Sequence, residues 1–279
     1  MAARTGGVVG LAATRLHDGA SVASREDELF PLASLVKVPI LVALYEAART
    51  GELKLDERVR YRTATRVPGS GVLQDLDDGL ELTVRDLATL MIAISDNTAA
   101  DLLLARLGKD RVEGVMRRHG LASIRLPFSI LELFQELTDR PDAGYDELRE
   151  LLRVSAGSGG RAVVPEQTDR GTPADLCRLF AMLERGELLD RASCAAVLDT
   201  LRRTKADSRI PALLPKGTVV AHKTGTIRGV RCDAGIVYAP SGPYAIAILS
   251  RGVAVGPHVD IALAEISLLV YDALGVRTA

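Results

Sequence analysis

The sequence has few aromatic side chains and no excess of charge of either sign. Its 279 residues include no Trp, four Phe and six Tyr. The apolar core must therefore be built from Leu, Val, Ile and Ala, and an aromatic stacking platform for single-stranded nucleic acid is not expected. The 35 Lys and Arg residues balance 36 Asp and Glu residues. Because nucleic-acid-binding proteins carry strongly basic surfaces, this balance also argues against a nucleic-acid partner.

Long apolar runs are missing as well. The longest candidates, residues 38–45 and 245–249, fall far short of the roughly 20 residues that span a bilayer. We therefore expect no membrane span. The first ten residues contain three glycines and one Arg, without the apolar core of a signal peptide. This leaves two possibilities, a cytoplasmic protein or a chain from which a leader has been removed.

No metal-binding or nucleotide-binding pattern is found. The three cysteines, Cys177, Cys194 and Cys232, form no C-x-x-C pair, and the four histidines lie at no metal-ligand spacing. The sequence of residues 217–224 is similar to a P-loop motif, but His222 occupies the position of the second glycine of that motif. The G-x-S-x-G turn of the α/β-hydrolases is also absent. We expect no metal and no organic cofactor, and we interpret the cysteines as small buried apolar side chains.

The order of predicted elements places strands at both ends of the chain and helices in the middle. Strands are predicted from β-branched, apolar segments bounded by turn residues, at 8–15, 21–29, 218–223, 230–238 and 244–251. Helices are predicted from apolar spacing and from capping residues such as Thr83 and Thr172, at 34–49, 84–94, 99–107, 173–185 and 258–274. Residues 138–171 are predicted to be mostly loop, because they are rich in Pro, Gly and charge.

This order predicts an α/β fold with an all-α insertion. An antiparallel sheet, built from both chain ends and flanked by helices, would form one discontinuous domain from residues 1–31 and 206–279. A helical domain would be inserted at residues 32–205. We expect the functional site to lie between the two.

Three short polar motifs follow one another along the chain. Residues 34–37 read S-x-x-K at a helix start, residues 95–97 read Ser-Asp-Asn between two helices, and residues 223–225 read Lys-Thr-Gly at a strand. Each pattern alone occurs by chance. Together, in this order and each on its own type of element, they are specific for a serine acyl-transfer site.

The chemistry of these residues is consistent with such a site. Ser34 and Lys37 lie three apart on one helix face. A hydroxyl is a weak nucleophile without a nearby base, and a buried lysine next to a second cation such as Lys223 releases its proton readily. Ser95 is a candidate for passing a proton to the leaving group, and Asn97 is a candidate for binding a substrate amide.

The third motif also predicts how a substrate is held. Lys223 offers a positive charge to a substrate carboxylate, together with Thr224 and Thr226. Gly225 leaves room for a substrate along the strand edge. The backbone N–H groups of Ser34 and Thr226 are candidates for the oxyanion hole.

The whole constellation resembles the class A β-lactamases and the related penicillin-binding serine peptidases. The resemblance extends over nearly the whole chain, through residues 30–39 (FPLASLVKVP), 69–73 (GSGVL), 95–99 (SDNTA), 221–226 (AHKTGT) and 233–237 (DAGIV). It implies the fold already suggested by the element order. It also implies a small-molecule substrate with a carboxylate and an acyl-enzyme on Ser34. We expect the protein to be a monomer.

The chain departs from the family at one functional position. Class A enzymes carry a Glu-x-x-Leu-Asn sequence after the Ser-Asp-Asn helix, and this Glu activates the water that releases the acyl group. No such sequence occurs here, and Glu132, Glu136 and Glu166 are the acids of this region. We interpret the first two as solvated helix residues and Glu166 as a loop residue. The sequence thus supports acylation and does not provide this acid for deacylation.

Three functions therefore remain open from the sequence. The first is a β-lactamase-type hydrolase using Ser34, Lys37 and Ser95. The second is a peptidase or a promiscuous esterase with the same nucleophile. The third is a binding or sensor domain that is acylated without useful turnover. The plainest interpretation, with Ser34 as a helix cap and Lys37 as a solvated side chain, is disfavoured by the presence of all three motifs.

Overall fold

The central element is a five-stranded antiparallel sheet to which both ends of the chain contribute. The computed structural model describes residues 5–155, 165 and 168–276. The sheet strands are β1 (Val8–Arg15), β2 (Ser21–Ser24), β7 (Val219–Ile227), β8 (Val230–Ala239) and β9 (Gly242–Arg251), in the order β2-β1-β9-β8-β7. The two ends of the chain meet where β1 pairs with β9, with Leu11 opposite Ile248. The predicted fold class is confirmed.

Nine helices accompany this sheet in the described residues. They are α1 (Lys37–Arg49), α2 (Val84–Ala93), α3 (Asn97–Leu107), α4 (Lys109–Arg118), α5 (Ile130–Thr138), α6 (Tyr145–Ser155), α7 (Pro173–Arg185), α8 (Arg191–Leu201) and α9 (Pro257–Val270). A 3-10 helix, Ala33–Val36, leads into α1, and a π-helical turn, Tyr271–Gly275, follows α9. The predicted caps are confirmed: the Thr83 side chain accepts from the Asp86 N–H, and the Thr172 side chain accepts from the Asp175 N–H.

Two short strand pairs tie the helical part together. Strand β3 (Phe30–Pro31) pairs with β6 (Arg170–Gly171), and β4 (Arg58–Arg60) pairs with β5 (Glu81–Thr83). The first pair joins the segment just before Ser34 to the segment just before α7. It therefore helps to fix the start of the first motif.

The sheet separates two apolar clusters, as the period of two along a strand requires. On β9, Ala245, Ala247 and Leu249 face the larger cluster, which also contains the cores of α1, α2, α7 and α8. Ile246 and Ile248 face the smaller cluster, where α9 packs. Helix α7 lies directly on β1, β8 and β9. The domain boundaries given above remain a prediction.

Two predicted elements differ from the structure. The second strand ends at Ser24 and does not reach residue 29. The segment 138–171, predicted as loop, contains helix α6. This helix begins with acidic residues, and its Leu148 is completely buried. It was not predicted because the segment as a whole is rich in Pro, Gly and charged residues. Residues 156–164 and 166–167 of this segment lie outside the described residues.

Candidate active site

The three motifs converge on one cavity between strand β7 and the helices. Ser34 lies in the 3-10 helix, Lys37 begins α1, and Ser95 lies just before α3. Lys223 and Thr224 lie on β7. The cavity has a volume of about 540 Å³, and its polar lining includes Ser34, Ser70, Ser95, Asn97, Thr224 and Thr226. The structure therefore brings the predicted site residues together.

The backbone around Ser34 is held in an unusual conformation. Ala33, directly before it, has a φ of +48°, a left-handed value that is uncommon for a residue with a side chain. Gly225 of β7 lies against this segment. A Cβ on Gly225 would lie 2.4 Å from the Leu32 carbonyl oxygen and 3.3 Å from the Leu35 nitrogen. The glycine of the third motif thus allows the strand to approach the first motif.

Lys37 is fully buried and is surrounded by polar partners from the second motif. Its Nζ lies 2.6 Å from the Ser95 carbonyl oxygen, 3.1 Å from Ser95 Oγ and 2.7 Å from Asn97 Oδ1. In the part of the chain that the structure describes, Ser34 Oγ makes no hydrogen bond to Lys37. The side chain of Lys37 is therefore positioned by the 95–97 segment.

Ser95 links the first and third motifs. Lys223 is also buried, and its Nζ lies 3.0 Å from Ser95 Oγ and 2.8 Å from the Thr224 carbonyl oxygen. Ser95 itself has a φ of +59°, so its backbone adopts the left-handed conformation. Such conformations persist where surrounding contacts hold them, and they are common at functional sites. The hydroxyl of Ser95 thus lies between two ammonium groups.

The electrostatic environment makes both lysines weaker bases than free lysine. Burial lowers the pKa of Lys37 well below its ordinary value, and the nearby charge of Lys223 lowers it further, against opposing effects of Asp96 and Asp101. Burial also lowers the pKa of Lys223 to about 7, and Arg209 contributes in the same direction while Asp233 opposes it. Both shifts have the same origin, because a charged group loses hydration when it is buried.

Asp96 stabilises the loop opposite α1. Its carboxylate accepts from the backbone N–H groups of Val72, Leu73 and Ala99 at 2.7, 2.9 and 2.9 Å. The last of these contacts caps α3. A Cβ on Gly71 would lie 2.3 Å from the same carboxylate, so this glycine permits the close packing. Asp96 therefore holds the 71–73 loop against the start of α3.

Asn97 is more enclosed than an amide-binding role alone would require. It is 3% exposed. Its Oδ1 accepts from Lys37 and from Ser70 Oγ, the latter at 3.2 Å, and its Nδ2 donates to the Pro68 carbonyl oxygen at 2.8 Å. Asn97 still lines the cavity. Its proposed contact with a substrate amide remains a prediction.

Two residues of the site were not identified from the sequence. Ser70 lies in the 69–73 segment, lines the cavity and donates to the Ser95 carbonyl oxygen at 2.7 Å. Arg209 is buried, donates to Thr226 Oγ1 at 2.6 Å and to the Gly225 carbonyl oxygen at 2.9 Å, and pairs with Asp260 at 2.7 Å. The Gly-Ser-Gly sequence at residues 69–71 is a local signal that could have identified Ser70 as a site residue. Arg209 gave none, because arginine is abundant in this chain.

The acids considered from the sequence do not line the cavity in the described residues. Glu132 caps the start of α5 and pairs with Lys109, and Glu136 is exposed. Glu166 lies outside the residues that the structure describes. Within 5–155 and 168–276, the cavity lining includes no carboxylate. No cluster of three metal-binding side chains occurs in the described chain either, and no helix there is long and apolar enough to cross a membrane.

Comparison with known proteins is consistent with this geometry. Residues 1–274 match the model of the beta-lactamase enzyme family. The chain is 31% identical to β-lactamase AST-1 of Nocardia asteroides, over 97% of this chain and 80% of that relative. The crystal structure of a β-lactamase from Sphaerobacter thermophilus superposes with a TM-score of 0.84 and is 30% identical, covering 100% of this chain and 96% of that one.

A further solved structure shows a covalent state of a related protein. A mutant of PBP-A, in an acyl-enzyme complex with penicillin G, has a TM-score of 0.78 and 31% identity, covering 95% of this chain and 89% of that one. The family model spans nearly the whole chain, and these similarities extend over both the sheet and the helices. The chain therefore belongs to the β-lactamase enzyme family of serine hydrolases.

Proposed function

We propose that this protein hydrolyses β-lactams or related esters and amides through an acyl-enzyme on Ser34. In this mechanism the Ser34 hydroxyl attacks the substrate carbonyl, Lys37 accepts its proton, and Ser95 passes a proton to the leaving group. The observation that carries the proposal is the placement of Ser95 Oγ between Lys37 and Lys223, in the same cavity as Ser34.

The contacts of Lys37 support a role as a base. A neutral lysine has two N–H groups and one lone pair. The two shortest contacts of Lys37 are with the Ser95 carbonyl oxygen and Asn97 Oδ1, which only accept hydrogen bonds. In the neutral form these contacts use both N–H groups and leave the lone pair of Nζ available to accept a proton. Lys37 is then ready to take a proton, and its low pKa favours this form.

The opposite side of Ser95 supports the second half of the proton transfer. Both lysines lie within donating distance of Ser95 Oγ, and when Lys37 is neutral the Ser95 hydroxyl can accept from Lys223 and donate to Lys37. A hydroxyl with one donor and one acceptor neighbour can pass a proton between Lys37 and a leaving nitrogen or oxygen in the cavity. This arrangement is the basis for the proposed role of Ser95.

The substrate carboxylate is proposed to bind at Lys223, Thr224 and Thr226. Thr224 and Thr226 both line the cavity. Arg209 donates a hydrogen bond to the Thr226 hydroxyl and adds positive charge near this end of the cavity. Gly225 keeps β7 close to Ser34, so the carboxylate site and the nucleophile lie near each other.

A second candidate function is a penicillin-binding protein or an esterase that turns over β-lactams poorly. The described cavity lining offers no carboxylate to activate water for deacylation. A mutant of the related PBP-A is known as an acyl-enzyme complex with penicillin G. Rapid acylation by penicillin, slow release and faster turnover of simple esters would favour this candidate.

Peptide mapping after labelling with penicillin G tests the proposed nucleophile. Among the described residues, three serines line the cavity, Ser34, Ser70 and Ser95, and the position of the label discriminates between them. We expect the penicilloyl group on Ser34 in the wild type and in Ser70→Ala, and no label in Ser34→Ala. A label on Ser70 or Ser95 in the wild type would refute the assignment.

A further inference from the structure

One wall of the cavity is apolar and is built by two helices that the three motifs do not include. Helix α5 contributes Ile130, Leu133, Phe134 and Leu137, and α6 contributes Leu152. Ile227 and Val255 add apolar surface from the side of the sheet. The cavity has the volume of a pocket that binds a drug-sized molecule. The apolar wall can therefore contact an acyl group much longer than acetyl.

The apolar wall begins directly beside the polar site. A Cβ on Gly69 would lie 2.8 Å from Asn97 Nδ2 and 3.6 Å from two ring atoms of Phe134. The ring of Phe134 therefore borders the same point of the 69–71 loop as the Asn97 amide. A substrate whose carbonyl is at Ser34 would direct its acyl substituent past Asn97 onto this wall.

Helix α5 is firmly attached at this position. The Asp101 carboxylate accepts from the backbone N–H groups of Ile130 and Leu131 at 2.7 and 2.9 Å. Asp101 lies one turn after Asn97 on α3, so the start of α5 is fixed to the helix that carries the second motif. The part of the wall that α5 forms is thus preformed, and binding to it requires little ordering of this helix.

Charge is distributed unequally around the cavity. In the described lining the charged side chains are Arg228 and Arg231, both from the loop and strand that follow the third motif. The only polar side chain that α5 and α6 add to the described lining is Thr138. Among the described lining residues a cationic acyl substituent would therefore lose hydration without meeting a carboxylate, whereas an apolar chain would gain by leaving water.

We propose that the preferred substrates of this site carry an extended apolar acyl chain, which binds along the wall formed by α5 and α6. The inference rests on the proposed function, since it assumes that Ser34 is the nucleophile. In the acylation step a bond forms between Ser34 Oγ and the acyl carbon and the bond from this carbon to the leaving oxygen breaks. The Ser34 proton passes to Lys37, and a proton passes through Ser95 to the leaving oxygen, which departs as the alcohol. A longer acyl chain changes how tightly the substrate binds and leaves the chemistry of the acylation step unchanged.

A series of p-nitrophenyl esters tests the proposal. The burst of p-nitrophenolate reports acylation alone, so slow deacylation does not obscure the result. From acetate to octanoate we expect the second-order acylation rate to rise about tenfold or more, since each buried methylene favours binding. The 6-aminohexanoate ester, which ends in an ammonium group, should react more slowly than the hexanoate ester.

Two variants locate the effect on the wall. Leu137→Asn places an amide on the partly exposed part of α5 and should lower the ratio of the octanoate rate to the acetate rate about fivefold. Leu213→Asn is the matched control, because Leu213 is 44% exposed and lies outside the cavity lining. This control should retain the wild-type ratio. Circular dichroism establishes that both variants are folded.

The outcomes separate this inference from the function on which it rests. Equal acylation rates from acetate to octanoate, or a ratio unchanged in Leu137→Asn, would overturn the apolar acyl site while Ser34 remains the nucleophile. Labelling by penicillin G without a burst from any ester would also overturn the acyl site alone. Failure of both penicillin and the esters to modify Ser34 would overturn the proposed function and the inference together.

Discussion

Lys37 and Lys223 direct their ammonium nitrogens to the same atom, Ser95 Oγ, from distances of 3.1 and 3.0 Å. Both side chains are buried, so their charges are poorly screened from each other. Two protonated lysines around one hydroxyl are therefore unfavourable. The arrangement favours the loss of a proton from one of them and gives the site a base and a cation in close proximity.

Replacing Lys37 by Met tests the proposed base. We expect acylation by penicillin or esters to slow by about 10³-fold, because general-base assistance contributes on this order. Lys54→Met is the control, since Lys54 is exposed and far from the motifs in sequence. Stopped-flow measurement of the acylation rate is the readout, with melting temperatures to verify folding. A Lys37→Met enzyme that acylates at the wild-type rate would exclude Lys37 as the base.

The pH dependence of substrate binding should reveal Lys223. Its pKa is lowered to about 7, so the side chain is protonated below this pH and increasingly neutral above it. A cation that binds a substrate carboxylate is thus lost as the pH rises. We expect KM for an anionic penicillin to increase above about pH 7, while KM for a neutral ester stays nearly constant. Parallel profiles for the two substrates would argue against carboxylate binding by Lys223.

Asp96 should be more important for stability than for chemistry. Its buried carboxylate accepts three backbone N–H groups, which Asp96→Ala would leave without partners. We expect a loss of about 3 kcal/mol in the free energy of unfolding, measured with urea. Asp86→Ala, which removes an exposed carboxylate of the α2 capping box, should cost clearly less. Equal losses for the two variants would contradict this account of Asp96.

Arg209 should stabilise the strand that carries the third motif. Arg209→Met removes a partly buried ion pair with Asp260 and the hydrogen bonds to Gly225 and Thr226. We expect a loss of about 3 kcal/mol in the free energy of unfolding, since the buried carbonyl oxygens of Gly225 and Cys232 lose their Arg209 donor. KM for a carboxylate substrate should rise as well.

The control for Arg209 is Arg153→Met, which removes an exposed pair with Glu150 and should change stability little. Chemical unfolding and steady-state kinetics of both variants provide the two readouts. A stable Arg209→Met protein with unchanged KM would show that Arg209 supports neither the strand nor the site.

The fold and the three motifs were predictable because their signals are local. The Thr83 and Thr172 caps act on residues three positions away, and the 34–37 and 223–225 patterns are readable without any other part of the chain. The contacts between distant segments were not predictable. Gly225 packs against Leu32, and Arg209 pairs with Asp260. Neither contact is indicated by the residues that neighbour it in the sequence.

The apolar wall was missed for a related reason. The composition of residues 138–171 is dominated by Pro, Gly and charge, so helix α6 was predicted as loop. The wall also depends on the attachment of α5 to α3, in which the Asp101 carboxylate accepts from the Ile130 N–H. These two residues are 29 positions apart in the sequence. Only the structure shows that these helices face the cavity of the three motifs.

Intact mass spectrometry during incubation with penicillin G tests the central claim most directly. The wild-type protein should gain the mass of one penicillin molecule, and Ser34→Ala should gain none. Decay of the adduct as penicillin is consumed would indicate a working β-lactamase, and a persistent adduct would indicate the penicillin-binding alternative. An adduct of equal amount on both proteins, or a wild type that neither gains an adduct nor consumes penicillin, would contradict the assignment of Ser34 as the nucleophile for β-lactams.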